Sequence, residues 1–135
     1  MINAKKMTGL EKLIDAVKLG QFSRADFDLC VETLPKDLFS AHNVVQVMLN
    51  NSMDAAKKLH EAVLPGWTVN NSHKVRQTDN GKPHNLQWEC MIVRYSPTIE
   101  RVSAQSYSPA SAWLLCILKA YMLHLVQNAP KEENI

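Results

Sequence analysis

The spacing of apolar residues divides the chain into a helical first half, an alternating middle and one long apolar end. Leu10, Leu13, Ile14 and Val17 recur at helical intervals behind Thr8-Gly9-Leu10-Glu11, which reads as a capping box, and Gly20 closes the helix. Ser23 caps a second short helix that puts Phe27, Cys30 and Val31 on one face and stops at Pro35. Ser40 or His42 opens a third, carrying Val44, Val45, Val47, Met48 and Leu49, and Asn50-Asn51 breaks it. Ser52 caps the fourth, and Asp54 suits the positive end of its macrodipole. The buried stripe of this helix is predicted as Ala55, Ala56, Leu59, Ala62 and Val63.

The period changes at Leu64-Pro65-Gly66-Trp67. A residue before proline is pushed towards extended geometry. Pro65-Gly66 fits the centre of a type II turn, with glycine at the positive-φ position. A strand then begins at Trp67, which shares a face with Val69 and is free to fold back over the helix just left. Asp79-Asn80-Gly81 signals a hairpin. The returning strand puts Leu86, Trp88, Cys90 and Ile92 on one face and Gln87, Glu89, Met91, Val93 and Tyr95 on the other. Ser96-Pro97 turns the chain into a third strand, Arg101 to Tyr107, with Val102 and Ala104 inward and Tyr107 outward. Ser108 and Pro109 start a last helix, as cap and first helical residue, which runs to about Gln127.

That last helix is apolar nearly all round, so it must be covered on several sides, and a three-stranded sheet covers only one. The remaining sides fall to the N-terminal helices or to another subunit. The fold class is α+β. Residues 1–51 form an N-terminal helical extension, 52–128 an α-β-β-β-α domain around an antiparallel meander, and 129–135 a tail. The α-β-β-β-α order resembles that of the double-stranded RNA-binding fold. That fold has a lysine cluster at the start of its last helix. Here Ser108-Pro109-Ala110-Ser111-Ala112 stands there instead, with no lysine before Lys119. Duplex binding draws on cations aimed at phosphates, so duplex nucleic acid is not an expected partner.

Composition narrows the class further. A net charge of +2 is too small to mark a nucleic-acid protein by itself. Three scattered cysteines, Cys30, Cys90 and Cys116, fit reduced thiols and not a disulfide framework. The first residues lack a signal-peptide pattern, and Ala112 to Val126 contains Lys119 and His124 and is shorter than the ~18 apolar residues of a membrane span. A cytoplasmic protein without membrane contact is expected.

Two stretches, SMDAAKKLHEAVLPGW (Ser52 to Trp67) and SPASAWLLCILKAYM (Ser108 to Met122), resemble the ends of a family of small phage and prophage proteins. Members show a helix ending in a leucine-proline-glycine-tryptophan corner, a variable strand region and a closing helix rich in alanine and leucine. The resemblance implies phage origin and action inside the host cytoplasm. It implies no reaction.

Catalytic motifs are weak. His60-Glu61 begins like a zinc-protease helix, but Leu64 stands where the second histidine belongs, so His60 is read as solvated helix polarity. His73 and His84 flank the hairpin and make a poor metal site as a pair. No catalytic residue, metal ligand or cofactor is assigned. The sheet segment is more suggestive, because Met91, Val93, Tyr95, Arg101 and Tyr107 form an apolar outer patch edged by cations. The alternatives are that the N-terminal helices or a twofold mate cover that face. The expected function is non-enzymatic binding by a phage-type homo-oligomer, in host interaction or anti-defence, with sequestration of a nucleotide signal as one form. Its binding residues would be Arg76, Arg94, Tyr95, Arg101 and Tyr107, the arginines on phosphates and the rings stacking. The alternative is a protein-protein inhibitor or adaptor that masks a host enzyme.

Overall fold

The computed structural model describes residues 4–20, 22–79 and 82–127, with side chains placed at 7–20, 22–74 and 88–127. The described residues form α1 (Ala4–Leu19), α2 (Arg24–Thr33), α3 (Ala41–Asn50), α4 (Met53–Val63), β1 (Thr68–Asp79), β2 (Lys82–Arg94), β3 (Glu100–Ser106) and α5 (Pro109–Gln127). The fold is α+β, with helices before and after a three-stranded antiparallel sheet in the order β1-β2-β3.

Serines set four of the five helix starts. Ser23 and Asp26 form a reciprocal capping box on α2, and Ser40 and Ser52 accept from Asn43 and Ala55 at the starts of α3 and α4. Ser108 Oγ accepts from the Ser111 amide at 3.0 Å on α5. Asn51 ends α3 in the left-handed region at φ 52°, and Gly20 follows α1 at φ 71°. The start of α1 departs from the sequence reading: the helix begins at Ala4, so Thr8 and Gly9 lie inside it. Gly9 is needed there for a different reason. A Cβ on it would come within 2.6 Å of Thr33 Oγ1, so its bareness lets α1 and α2 touch.

The corner differs too. The Trp67 amide donates to the Leu64 carbonyl at 3.0 Å, closing a turn around Pro65 and Gly66, but Gly66 is not at positive φ. The turn is therefore not type II, and a Cβ on Gly66 would meet nothing within 4 Å. On the predicted stripes, Val31, Leu49 and Ala62 face outward, while His60 of α4 is buried. Sequence periodicity cannot separate such positions where the buried arc of a helix is narrow.

Asp79 pairs with Lys82, and the predicted hairpin residues Asn80 and Gly81 lie outside the described residues. A bulge at Asn70 shifts the register of β1, so Val69 lies across from Ile92 but Asn71 from Met91. β3 covers β2 only as far as the Trp88–Ser106 pair. Beyond it, β1 and β2 continue as a two-stranded ribbon.

α5 is the centre of the core. It packs on β2 and β3, touches β1, and is covered elsewhere by α1, α3 and α4. Ala110, Ala112, Leu114, Leu115, Cys116, Ile117, Leu118 and Ala120 are all buried. The Cys116 thiol donates to the Cys90 carbonyl at 3.1 Å, tying the helix to β2. Ser106 Oγ donates to the Val17 carbonyl and accepts from Ser111 Oγ, which joins β3, α1 and α5. One apolar cluster runs from Leu10 in α1 to Ala120 in α5, so the N-terminal helices share the core of the sheet segment. They cover α5, while on the second sheet face Val93 is buried between exposed Thr68 and Arg101.

Candidate functional site

The corner that ends α4 is a junction of polar contacts in otherwise apolar surroundings. His60 is 6% exposed. The Trp113 indole N–H donates to its Nδ1 at 3.0 Å, so the ring proton sits on Nε2, which donates to the Trp67 carbonyl at 2.7 Å. Both ring nitrogens are thus used, and α4, the corner and α5 are locked together. His60 is a buried structural histidine and not the solvated one its motif suggested. The signal that could have found it was its helical spacing from Ala56, which puts it on the buried side of α4.

Trp67 carries Arg94 on its ring, with Cζ 5.4 Å from the centroid. Arg94 closes β2 on the same face as Cys90 and Ile92, and its guanidinium pairs with Glu100 at the start of β3. The strand register places these two residues directly opposite each other. Gln127 Nε2 at the end of α5 donates to the same Glu100 oxygen, Oε1, at 3.3 Å. Arg94 Nε and Glu100 Oε2 are both buried and have no hydrogen-bond partner among the described residues.

Beside this pair lies a groove of about 380 Å³. Its walls are Val63 and Leu64 of α4, the Pro65-Gly66-Trp67 corner, Tyr121, His124 and Leu125 of α5, Leu38, and Arg94. The turn after Pro35 supplies Leu38 and directs Phe39 inward, edge-on to Tyr121 at 5.1 Å. Burial, with Asp37 nearby, raises the Tyr121 phenol above its ordinary range, so this ring is a neutral hydrogen-bonding wall at neutral pH. A second hollow of about 390 Å³ lies next to Pro65 and Trp67, bounded by Lys57, Glu61, Val69 and Trp113.

The residues singled out in the sequence do not come together. Arg94 lines the groove. Tyr95, 62% exposed, is the residue after β2, and Arg101 pairs with Val93 on the sheet face opposite Arg94. Tyr107 is six residues along from Arg101, about 20 Å at the rise of a strand, and its ring lies over Gly20. Arg76 pairs by its backbone with Leu86, eight residues from Arg94 and about 27 Å away by the same rise. Its side chain lies outside those described, as does that of His84. His73 instead approaches Glu89, at 3.8 Å, and Asn71. Among the described residues no group of three His, Cys, Asp or Glu side chains is arranged to hold a metal ion. The sequence missed Trp67, Glu100, Tyr121 and His124 as neighbours of Arg94, because only the fold brings them together.

By length and composition α5 qualifies as a membrane-spanning helix, which the sequence reading of a shorter run did not allow, but half of its apolar window is buried against the rest of the chain. Fold and groove together describe an α+β protein with an apolar cleft beside a stacked arginine. No family model, curated protein or solved structure matches the chain.

Proposed function

We propose that the chain is a non-enzymatic phage-type binding protein that acts in the host cytoplasm, in host interaction or anti-defence, by holding a nucleotide-type ligand in the groove at the Trp67 corner. The observation that carries this reading is the groove itself: about 380 Å³, walled by apolar side chains and the Tyr121 ring, with one cation held in place on Trp67. That volume lies in the range of small-molecule sites, and a few fixed polar groups in an apolar cleft are what such sites use for orientation. The likeness of Ser52–Trp67 and Ser108–Met122 to phage proteins supports the setting. Arg94 is the binding residue retained from the sequence reading, joined by Trp67, Tyr121 and His124. Tyr95 and Arg101, on the other face, are proposed as a contact between copies in a homo-oligomer.

The test is native mass spectrometry of the purified protein, repeated after heat denaturation. A nucleotide released at near-stoichiometric ratio supports the reading. A protein that neither carries nor takes up any nucleotide or nucleoside removes it. The same spectra give the number of subunits, and a monomer at micromolar concentration removes the oligomer.

A second reading, an inhibitor or adaptor that masks a host protein, is favoured by one further feature. Leu123 and Val126, three residues apart on α5, are 36% and 54% exposed on the side of the helix away from Tyr121, His124 and Leu125. An exposed apolar stripe of this kind suits contact with a partner's side chains.

A further inference from the structure

We propose that the groove reads the hydrogen-bonding edge of a nucleobase and not a phosphate; this rests on the nucleotide reading above and names the part of the ligand that is recognised. The argument starts from charge. Arg94 is already neutralised by Glu100, whose Oε1 also takes the Gln127 amide. A phosphate entering beside Arg94 would bring only acceptors and negative charge, and would face the Glu100 carboxylate as well as the guanidinium. To be held it must break the pair and leave the partly buried Glu100 carboxylate without its cation, which is the costly way to disrupt such a pair.

The unused atoms ask for something else. Arg94 Nε–H is a buried donor without an acceptor, and Glu100 Oε2 is a buried acceptor without a donor. They belong to two residues joined by one ion pair. Their complement is a planar neutral group that presents an acceptor next to a donor. The Watson–Crick edge of each nucleobase has that arrangement, and a phosphate does not. Engaging both atoms takes a rotation of the two head groups about their ion pair, since both atoms are shielded from solvent.

The surroundings suit a flat ring. Leu38, Val63, Tyr121 and Leu125 give the groove apolar walls. Arg94 stands on the Trp67 ring, and the Trp67 backbone is held by His60, so the arginine's place beside the groove is fixed and only its head group has to turn.

The test is calorimetric titration of the full-length protein with adenosine, cytidine, guanosine and uridine, with their 5′-monophosphates, and with inorganic phosphate. At least one nucleoside is expected to bind with a Kd within about threefold of that of its monophosphate, and inorganic phosphate is expected not to compete. Glu100→Gln, which replaces an acceptor by an amide, is expected to weaken that nucleoside by about tenfold or more, the scale of a paired edge contact. Its melting curve establishes that the variant is folded, and the wild-type comparison stands whether or not it is. Binding that requires the phosphate, or that inorganic phosphate displaces, overturns the base-edge inference and leaves nucleotide binding standing. Absence of binding by every nucleoside and nucleotide overturns both and leaves the host-protein reading.

Discussion

At the scale of single residues, two glycines make opposite demands. Gly20 sits at φ 71°, and a Cβ on it would come within 2.3 Å of the Tyr107 ring. Gly20→Ala is expected to cost about 1–2 kcal/mol from the left-handed backbone alone, read as a lowered urea midpoint. Moving the substitution into a Tyr107→Ala background should recover the steric part and leave the backbone part; full recovery would mean that the backbone is not strained. Gly66 is the reverse case. Its φ is ordinary and its Cβ direction is open, so Gly66→Ala should leave stability unchanged or raise it by about 0.4–1 kcal/mol through the unfolded chain. A large loss in the same denaturation experiment would restore the type II turn. The thiols add a pH dependence. Burial pushes Cys30 from 9.0 up to about 11, so between these values the unfolded chain sheds this proton while the folded chain keeps it. Stability should therefore fall as pH rises through that interval, and Tyr121, shifted upward as well, acts in the same direction. Below pH 9 the Cys30 thiolate is about a hundredfold scarcer than at an ordinary thiol. Iodoacetamide at pH 8 should therefore modify Cys30 slowly unless the protein is denatured first, and rapid native labelling would contradict its burial.

At the scale of elements, the corner after α4 holds through a neutral imidazole between two partners. Trp113→Phe removes the indole donor together with part of the ring's packing and should cost about 1 kcal/mol or more, with His60→Ala also destabilising. The two should be coupled in a double-mutant cycle by about 0.5 kcal/mol or more, and strict additivity would show that the His60–Trp113 bond contributes nothing. How much of this was legible in the sequence depends on whether the deciding interaction is local. Ser23, Ser40, Ser52 and Ser108 act within one helical turn, so the helix starts could be read directly. The faces of Cys90 and Ile92 follow from strand alternation, and both are buried as expected. The start of α1 was misread because the Thr8 pattern also fits a helix interior. His60 was misread because its partners, Trp67 and Trp113, lie seven and 53 residues away. Arg94 was picked out as a cation, but the carboxylate that neutralises it is Glu100, and only the register of β2 on β3 brings the two together. A candidate site assembled from residue types alone therefore placed on one surface groups that the sheet separates by its thickness and its length.

At the scale of the whole molecule, α5 decides how the parts depend on one another. Its buried residues meet the sheet on one side and α1, α3 and α4 on the others. The boundary at residue 51 that the sequence suggests is therefore crossed by the core itself. A chain shortened to residues 52–135 would expose the sides of α5 that α1 and α3 cover. It is expected to lose the cooperative thermal transition of the full chain, and a sharp transition near the original temperature would show that the two parts are independent. The same arrangement has a consequence in time. Of the described elements, the one that every layer leans on is the last to be synthesised. While the ribosome is still adding the strands, α1, α3 and α4 have emerged with apolar stripes and no central helix to receive them. Docking then joins segments distant in sequence, which makes the final step slow to find and leaves the waiting helices open to other hydrophobic surfaces. A nascent chain stalled before Ser108 should therefore be captured by chaperones and cut by protease, and release of the closing helix should end both at once.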